Sequence, residues 1–163
     1  MLRNLIAGLG LLAMSAGPAL ADPCTAIPNK GPLPAGLKPG AVFSGEVTYV
    51  GDGDSLCVAL GPRRDQWVEV RLADFYAPEL KTKEGKAAKA ALMRIAKGKR
   101  ATCRAGKRSY DRIVARCTIE GRAIEEMMRR AGVREGGRGQ PAAASTSFSN
   151  TKSSGSGASV ARQ

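Results

Sequence analysis

The chain has 163 residues, with 26 lysines and arginines against 14 aspartates and glutamates, four cysteines and no histidine, for a formal charge of +12 at pH 7. That length holds one ordinary domain and little else. The lack of histidine excludes histidine general-base catalysis and, with no Cys-x-x-Cys present, leaves little room for a zinc centre, while the charge points to a polyanionic partner. The plainer meaning of such charge is a basic surface that keeps an exported protein soluble or loosely attached to an anionic envelope.

Residues 1–21 read as a secretory signal, with Arg3 in a basic start, an apolar run over 5–14, and Ala19 and Ala21 flanking Leu20. Cleavage is expected before Asp22, and the run is too short for a comfortable membrane span. The mature protein is therefore expected to be periplasmic or extracellular, without a membrane span, and a monomer. Residues 22–41 are rich in proline and glycine and predict an extended arm.

Regular structure is predicted from residue 42. A strand over 43–50 leads into the turn GDGDS at 51–55, and Leu56, Val58 and Leu60 alternate along a second strand. The run WVEVRL starts a third, over 67–73. There Val68, Val70 and Leu72 face one side, and Glu69 and Arg71 face the other. Ala77-Pro78 stops that strand, because proline lacks a donor and keeps its predecessor extended, so Glu79 follows a rigid corner. Ala88, Ala91, Leu92 and Ile95 then fall at helical spacing over 83–97, with Gly98 as terminator. Residues 100–104 and 113–119 read as a β pair joined by the basic loop AGKRSYD. Ile124, Met127, Met128 and Ala131 mark one face of a second helix, ended by Gly132. From residue 134 to 163 the composition turns to Gly, Ala, Ser and Thr, which predicts a disordered polar tail. Five short strands with two inserted helices predict an α+β, mainly β fold, a five-stranded barrel of the OB type.

In an oxidising compartment an even cysteine count favours disulfides. Cys103 and Cys117 share the face of Ala101, Ala115 and Ile119, and are expected to meet across neighbouring strands. Cys57 faces away from that row, where an arm carrying Cys24 can cover it. The expected pairs are Cys103–Cys117 and Cys24–Cys57.

Arg71 and Glu79 alone would suit an ordinary surface ion pair. Set beside GDGDS at 51–55, SYDRIVARC at 109–117 and GRAIEEMMRRAG at 121–132, the stretch VRLADFYAPE at 70–79 resembles the thermonuclease family, the staphylococcal-nuclease-like domains. The resemblance covers residues 42–133. It implies an OB-type barrel and an endonuclease-like hydrolysis of phosphodiester bonds in DNA or RNA, typically with calcium. Residue by residue, it implies Arg71 and Arg112 as catalytic arginines, Glu79 as the catalytic glutamate, Asp54 as a calcium ligand with Asp52 beside it, and the backbone carbonyl of Ala77 as a further ligand. The chemistry is coherent: oxygen ligands suit a hard cation, and two guanidiniums suit the charge of a phosphoryl transition state.

The sequence departs from the family pattern at three places. Tyr76 stands where a second calcium-binding aspartate is usual, and a phenol is a far poorer ligand than a carboxylate. Calcium is therefore expected to bind weakly, held by Asp52, Asp54 and the Ala77 carbonyl with waters in the remaining positions; Asp74, two residues before Tyr76, is the one nearby carboxylate that could compensate. Asp111 replaces a glycine before the second arginine, a position where aspartate tolerates a left-handed turn. The family's third helix is replaced by the polar tail. The expectation is thus an exported, metal-assisted nuclease. The alternative is a noncatalytic OB-fold module that binds nucleic acid or another polyanion, its metal site degenerated at Tyr76.

Overall fold

The computed structural model describes residues 22–137. The expected signal segment and residues 138–163 of the expected tail lie outside them. Strands β1 (Val42–Val50), β2 (Ser55–Ala59) and β3 (Trp67–Leu72) form an antiparallel meander. Helix α1 (Lys83–Ala96) follows, then the hairpin of β4 (Arg100–Ser109) and β5 (Arg112–Ile119), a two-residue β6 (Arg122–Ala123) and helix α2 (Ile124–Arg130). The sheet order is β3-β2-β1-β4-β5-β6, and a parallel β3–β5 pairing closes the first five strands into a barrel. The class is α+β, with an OB-fold-like barrel.

Period-two alternation fills the interior. Val68, Val70 and Leu72 from β3, Ala101, Cys103 and Ala105 from β4, and Ile113, Ala115, Cys117 and Ile119 from β5 are all buried. Helix α1 covers one end with Ala88, Ala91, Leu92 and Ala96, and its lysines stay outside. Thr82 caps it by accepting from the Gly85 N–H at 2.9 Å. Cys103 and Cys117 are directly opposite in the β4–β5 register and form a disulfide with Cα atoms 4.1 Å apart. Cys24 and Cys57 form the second, at 5.7 Å. Both pairings are the ones expected from strand parity. Among the described residues no helix is long and apolar enough to cross a membrane.

Four local expectations change. The basic loop is mostly strand: β4 runs on to Ser109 through a bulge between Ala105 and Arg108. Charged side chains pointing to solvent do not disturb backbone pairing, and the Arg108 guanidinium is held by the carbonyls of Pro28, Gly31 and Tyr110. The left-handed residue of the turn is Tyr110 (φ 58°), not Asp111. The arm is irregular apart from a 3-10 turn at Ala35–Leu37, yet it buries Ile27 and Leu37 in the core. Finally, residues 134–137 are not loose: the N–H groups of Gly136 and Gly137 both donate to the Tyr76 carbonyl, at 3.0 and 3.2 Å.

Candidate functional site

The turn between β1 and β2 is built by its own side chains. Asp52 Oδ1 accepts from the Asp54 N–H at 2.9 Å, and the Gly51 N–H donates to the Ser55 carbonyl at 3.0 Å. Gly53 is required by space. A Cβ there would lie 2.5 Å from that of Ala77 and 2.6 Å from that of Ala88, so only glycine lets the corner at 77 and helix α1 close over the turn. This closure buries Asp54. Its Oδ2 accepts from the Ala77 N–H at 3.0 Å and faces Arg71 Nη2 at 3.4 Å. Burial pushes its carboxyl up to about 6, reinforced by the Asp52 charge and opposed by Arg71 and the Ala77 hydrogen bond.

Arg71 leaves the outer face near the end of β3, level with Ser55 of β2 and Val114 of β5. Its guanidinium also lies over the Tyr76 ring, 5.0 Å from the centroid. Glu79 is fixed through its backbone, since its carbonyl accepts from the Thr82 N–H at 2.9 Å and the Thr82 hydroxyl at 2.8 Å. Gly85 makes room for that carbonyl, because a Cβ there would lie 2.1 Å from it. Arg112 opens β5, paired with Ser109 across the turn.

These elements converge. Asp52, Asp54, Arg71, Ala77, Glu79 and Arg112, all expected as site residues, line one cleft of about 250 Å³ together with Pro78 and Leu80. Two neighbours stand elsewhere. Tyr76 does not line the cleft and packs on Arg71, facing the far side of that residue. Asp74 cannot compensate for it, because its carboxylate is paired with Arg116, at 2.5 and 3.2 Å. Ala77 joins the cleft and its N–H serves Asp54. Its carbonyl, the expected ligand, has Gly137 against it, close enough that a Cβ on that glycine would lie 2.0 Å from the oxygen.

Sequence reasoning passed over Glu69. It shares the outer face of β3 with Arg71, and that alternation was the available signal. Burial, and then the charge of Asp22 brought in by the arm, push its carboxyl up to about 7, with Asp111 and Asp52 adding to the effect and Arg112 opposing it. The arm thus adds an acidic rim beside Arg112. Asp22, Cys24 and Cys57 also bring potential ligand atoms together, but both sulfurs are spent in the disulfide, so no thiolate is available.

The cleft's donor set is all oxygen, and one of its two turn carboxylates is buried under the charge of the other. A hard divalent cation fits that arrangement, because it would offset both the burial and the Asp52 charge that raise Asp54. Two guanidiniums, Arg71 and Arg112, line the same cleft and suit a phosphodiester. No family model matches this chain, and no curated protein matches it.

Proposed function

We propose that this chain is an exported phosphodiester hydrolase, a nuclease that cleaves DNA or RNA with the help of a divalent cation such as calcium. One observation carries the reading: Arg71, Arg112 and Glu79 line the same small cleft as Asp52 and Asp54. The guanidiniums of Arg71 and Arg112 donate to the phosphate oxygens and offset the negative charge that builds as a water oxygen bonds to phosphorus and an ester P–O bond breaks. Glu79 orients that water and accepts its proton, and the departing ester oxygen keeps the P–O electron pair and leaves as a hydroxyl group with a proton taken from solvent. Asp52 and Asp54 would hold the cation, whose contribution is to polarise a phosphoryl oxygen. The placement outside the cytoplasm is supported by the two disulfides.

A second reading is favoured by a specific observation. With Tyr76 turned onto Arg71 and the Ala77 carbonyl against Gly137, the turn supplies only two aspartates, which suits a polyanion-binding module that no longer cleaves. The two readings part in one experiment. The chain from Asp22 onward is incubated with single-stranded DNA and RNA in calcium, in other divalent ions and in chelator, beside Glu79→Gln, Arg71→Ala and Arg112→Ala. The nuclease reading expects metal-dependent cleavage by the parent chain, reduced by about 10²–10⁴-fold in Glu79→Gln. If the parent cleaves neither polymer with any ion yet binds both, the binding module replaces it.

A further inference from the structure

A larger groove of about 620 Å³ lies on the other side of Arg71 and is lined by four cations: Arg71, Arg104, Lys107 and Arg116. Its floor includes the small residues Ala73, Ala105, Gly106 and Ala115. At Gly106 the β4 bulge brings the backbone so near β5 that a Cβ would lie 2.7 Å from the Val114 carbonyl. Its one carboxylate, Asp74, is already paired with Arg116.

Arg104 and Arg116 are directly opposite in the β4–β5 register, both exposed. Like charges at such a pair are destabilising, and only Arg116 has a carboxylate partner, Arg104 donating instead to the Gly40 carbonyl. An anion between them would relieve the cost. Arg71 lines both this groove and the smaller cleft, so the two adjoin at its side chain, with the middle of β4 and β5 carrying the other groove cations. Tyr76 adds an aromatic ring to the groove wall, packed under Arg71.

We propose that this groove is a phosphate track for an unpaired nucleic-acid strand, in which Arg104, Lys107 and Arg116 hold backbone phosphates flanking the one that enters the cleft. The proposal rests on the nuclease reading for the identity of that strand. A recess that adjoins a narrow cleft at Arg71 takes a single strand, whose backbone can follow a concave basic path, more readily than a duplex with its phosphates on a convex cylinder. Asp74 tunes the track, because its pairing with Arg116 must be shared with, or yielded to, an incoming phosphate.

The test is fluorescence anisotropy with the full chain carrying Glu79→Gln, in chelator, and a labelled oligothymidylate of about 12 nucleotides, within the ~4–16-nucleotide range of OB-fold sites. Adding Arg104→Ala with Lys107→Ala is expected to weaken binding by about 10-fold at low salt and to lower the slope of log Kd on log salt by about 0.7 for each cation removed. Asp74→Asn is expected to tighten binding about threefold, a gain that a misfolded variant would not show. Lys86→Ala with Lys97→Ala, an equal charge change within and at the end of α1 and not part of the groove lining, is the control. The track is overturned if the double variant matches that control, if an equally long duplex binds as tightly, or if a sulfated polysaccharide of similar charge shows the same losses. Because binding is read without cleavage, groove effects in a protein that never cleaves would keep the track and remove the enzyme, and cleavage without groove effects would do the reverse.

Discussion

Glu69 is the residue whose chemistry owes most to its surroundings. Its carboxyl is raised to about 7 by burial and by Asp22, so the folded protein holds a proton that the unfolded chain gives up from about 4.5. The stabilisation linked to that proton is complete below about 4.5 and is lost as pH rises through about 7. Glu69→Gln should therefore flatten the stability profile across this window and make the protein more stable at pH 8 by about 1–2 kcal/mol, the figure being discounted for the solvent-exposed part of the side chain. Urea melts of both proteins at pH 5 and pH 8 check it; an unchanged pH dependence would show that Glu69 is ionised throughout.

At the same scale, Arg71 is shared among Asp54, the Leu72 carbonyl and the Tyr76 ring. Asp54→Asn removes one of two turn carboxylates but keeps an oxygen for the Ala77 N–H. Calcium binding by calorimetry is expected to fall at least tenfold while the melting temperature stays close to the parent's or rises, since a buried charge beside Asp52 is lost. Unaltered calcium affinity would remove the turn from the metal site.

The C-terminal strap decides a prediction at the scale of elements. Glu135 accepts from the Tyr76 N–H at 3.1 Å and pairs with Arg129 at 2.8 Å, and Gly136 and Gly137 serve the Tyr76 carbonyl. Composition alone would have permitted truncation at Gly136. The hydrogen bonds move the boundary: truncation after Gly137 should leave the melting temperature unchanged, and truncation after Arg134 should cost about 2–4 kcal/mol, for the loss of a charge-assisted bond and two backbone bonds. Thermal melts of the two truncations give the answer, and equal stability would show the strap to be inert. The β4–β5 hairpin teaches a similar lesson. Its glycine and basic run resembles a loop by composition, but pairing with β5 and the anchoring of Arg108 to the arm make it a strand.

On the scale of the whole molecule, the arm is part of the domain. It is tied to β2 by Cys24–Cys57, hydrogen-bonded from Thr25 to Arg64 and from Ala26 to Trp67, and buried through Ile27 and Leu37. Replacing Cys24 and Cys57 by serine frees the arm in the unfolded chain and weakens its hold on the core. Denaturant melts should show a loss of about 2–5 kcal/mol, comparable with removal of Cys103–Cys117, rather than a mere loosening of the terminus. A loss near zero would mean that Ile27 and Leu37 hold the arm unaided.

Local signals were sufficient for much of this molecule. Alternation along WVEVRL and IVARCTI decided which side chains enter the barrel, and the parity of Cys57 on β2, Cys103 on β4 and Cys117 on β5 decided the disulfides, because a strand has two faces and a one-residue shift exchanges them. The order of the motifs was enough to mark Asp52, Asp54, Arg71, Ala77, Glu79 and Arg112 as one set. Direction and neighbourhood were not legible there. That Tyr76 turns onto Arg71, that Asp74 is taken by Arg116, and that the Ala77 carbonyl meets Gly137 all depend on segments far apart in the chain. The acidic rim at Glu69 needs the arm folded over β2, and the basic groove needs Arg104 and Arg116 brought level by the register of a hairpin. A pattern along the chain states which face a side chain takes; which other charges share that face is decided only when barrel closure brings distant strands into contact, and electrostatic interaction depends on distance through space rather than along the sequence.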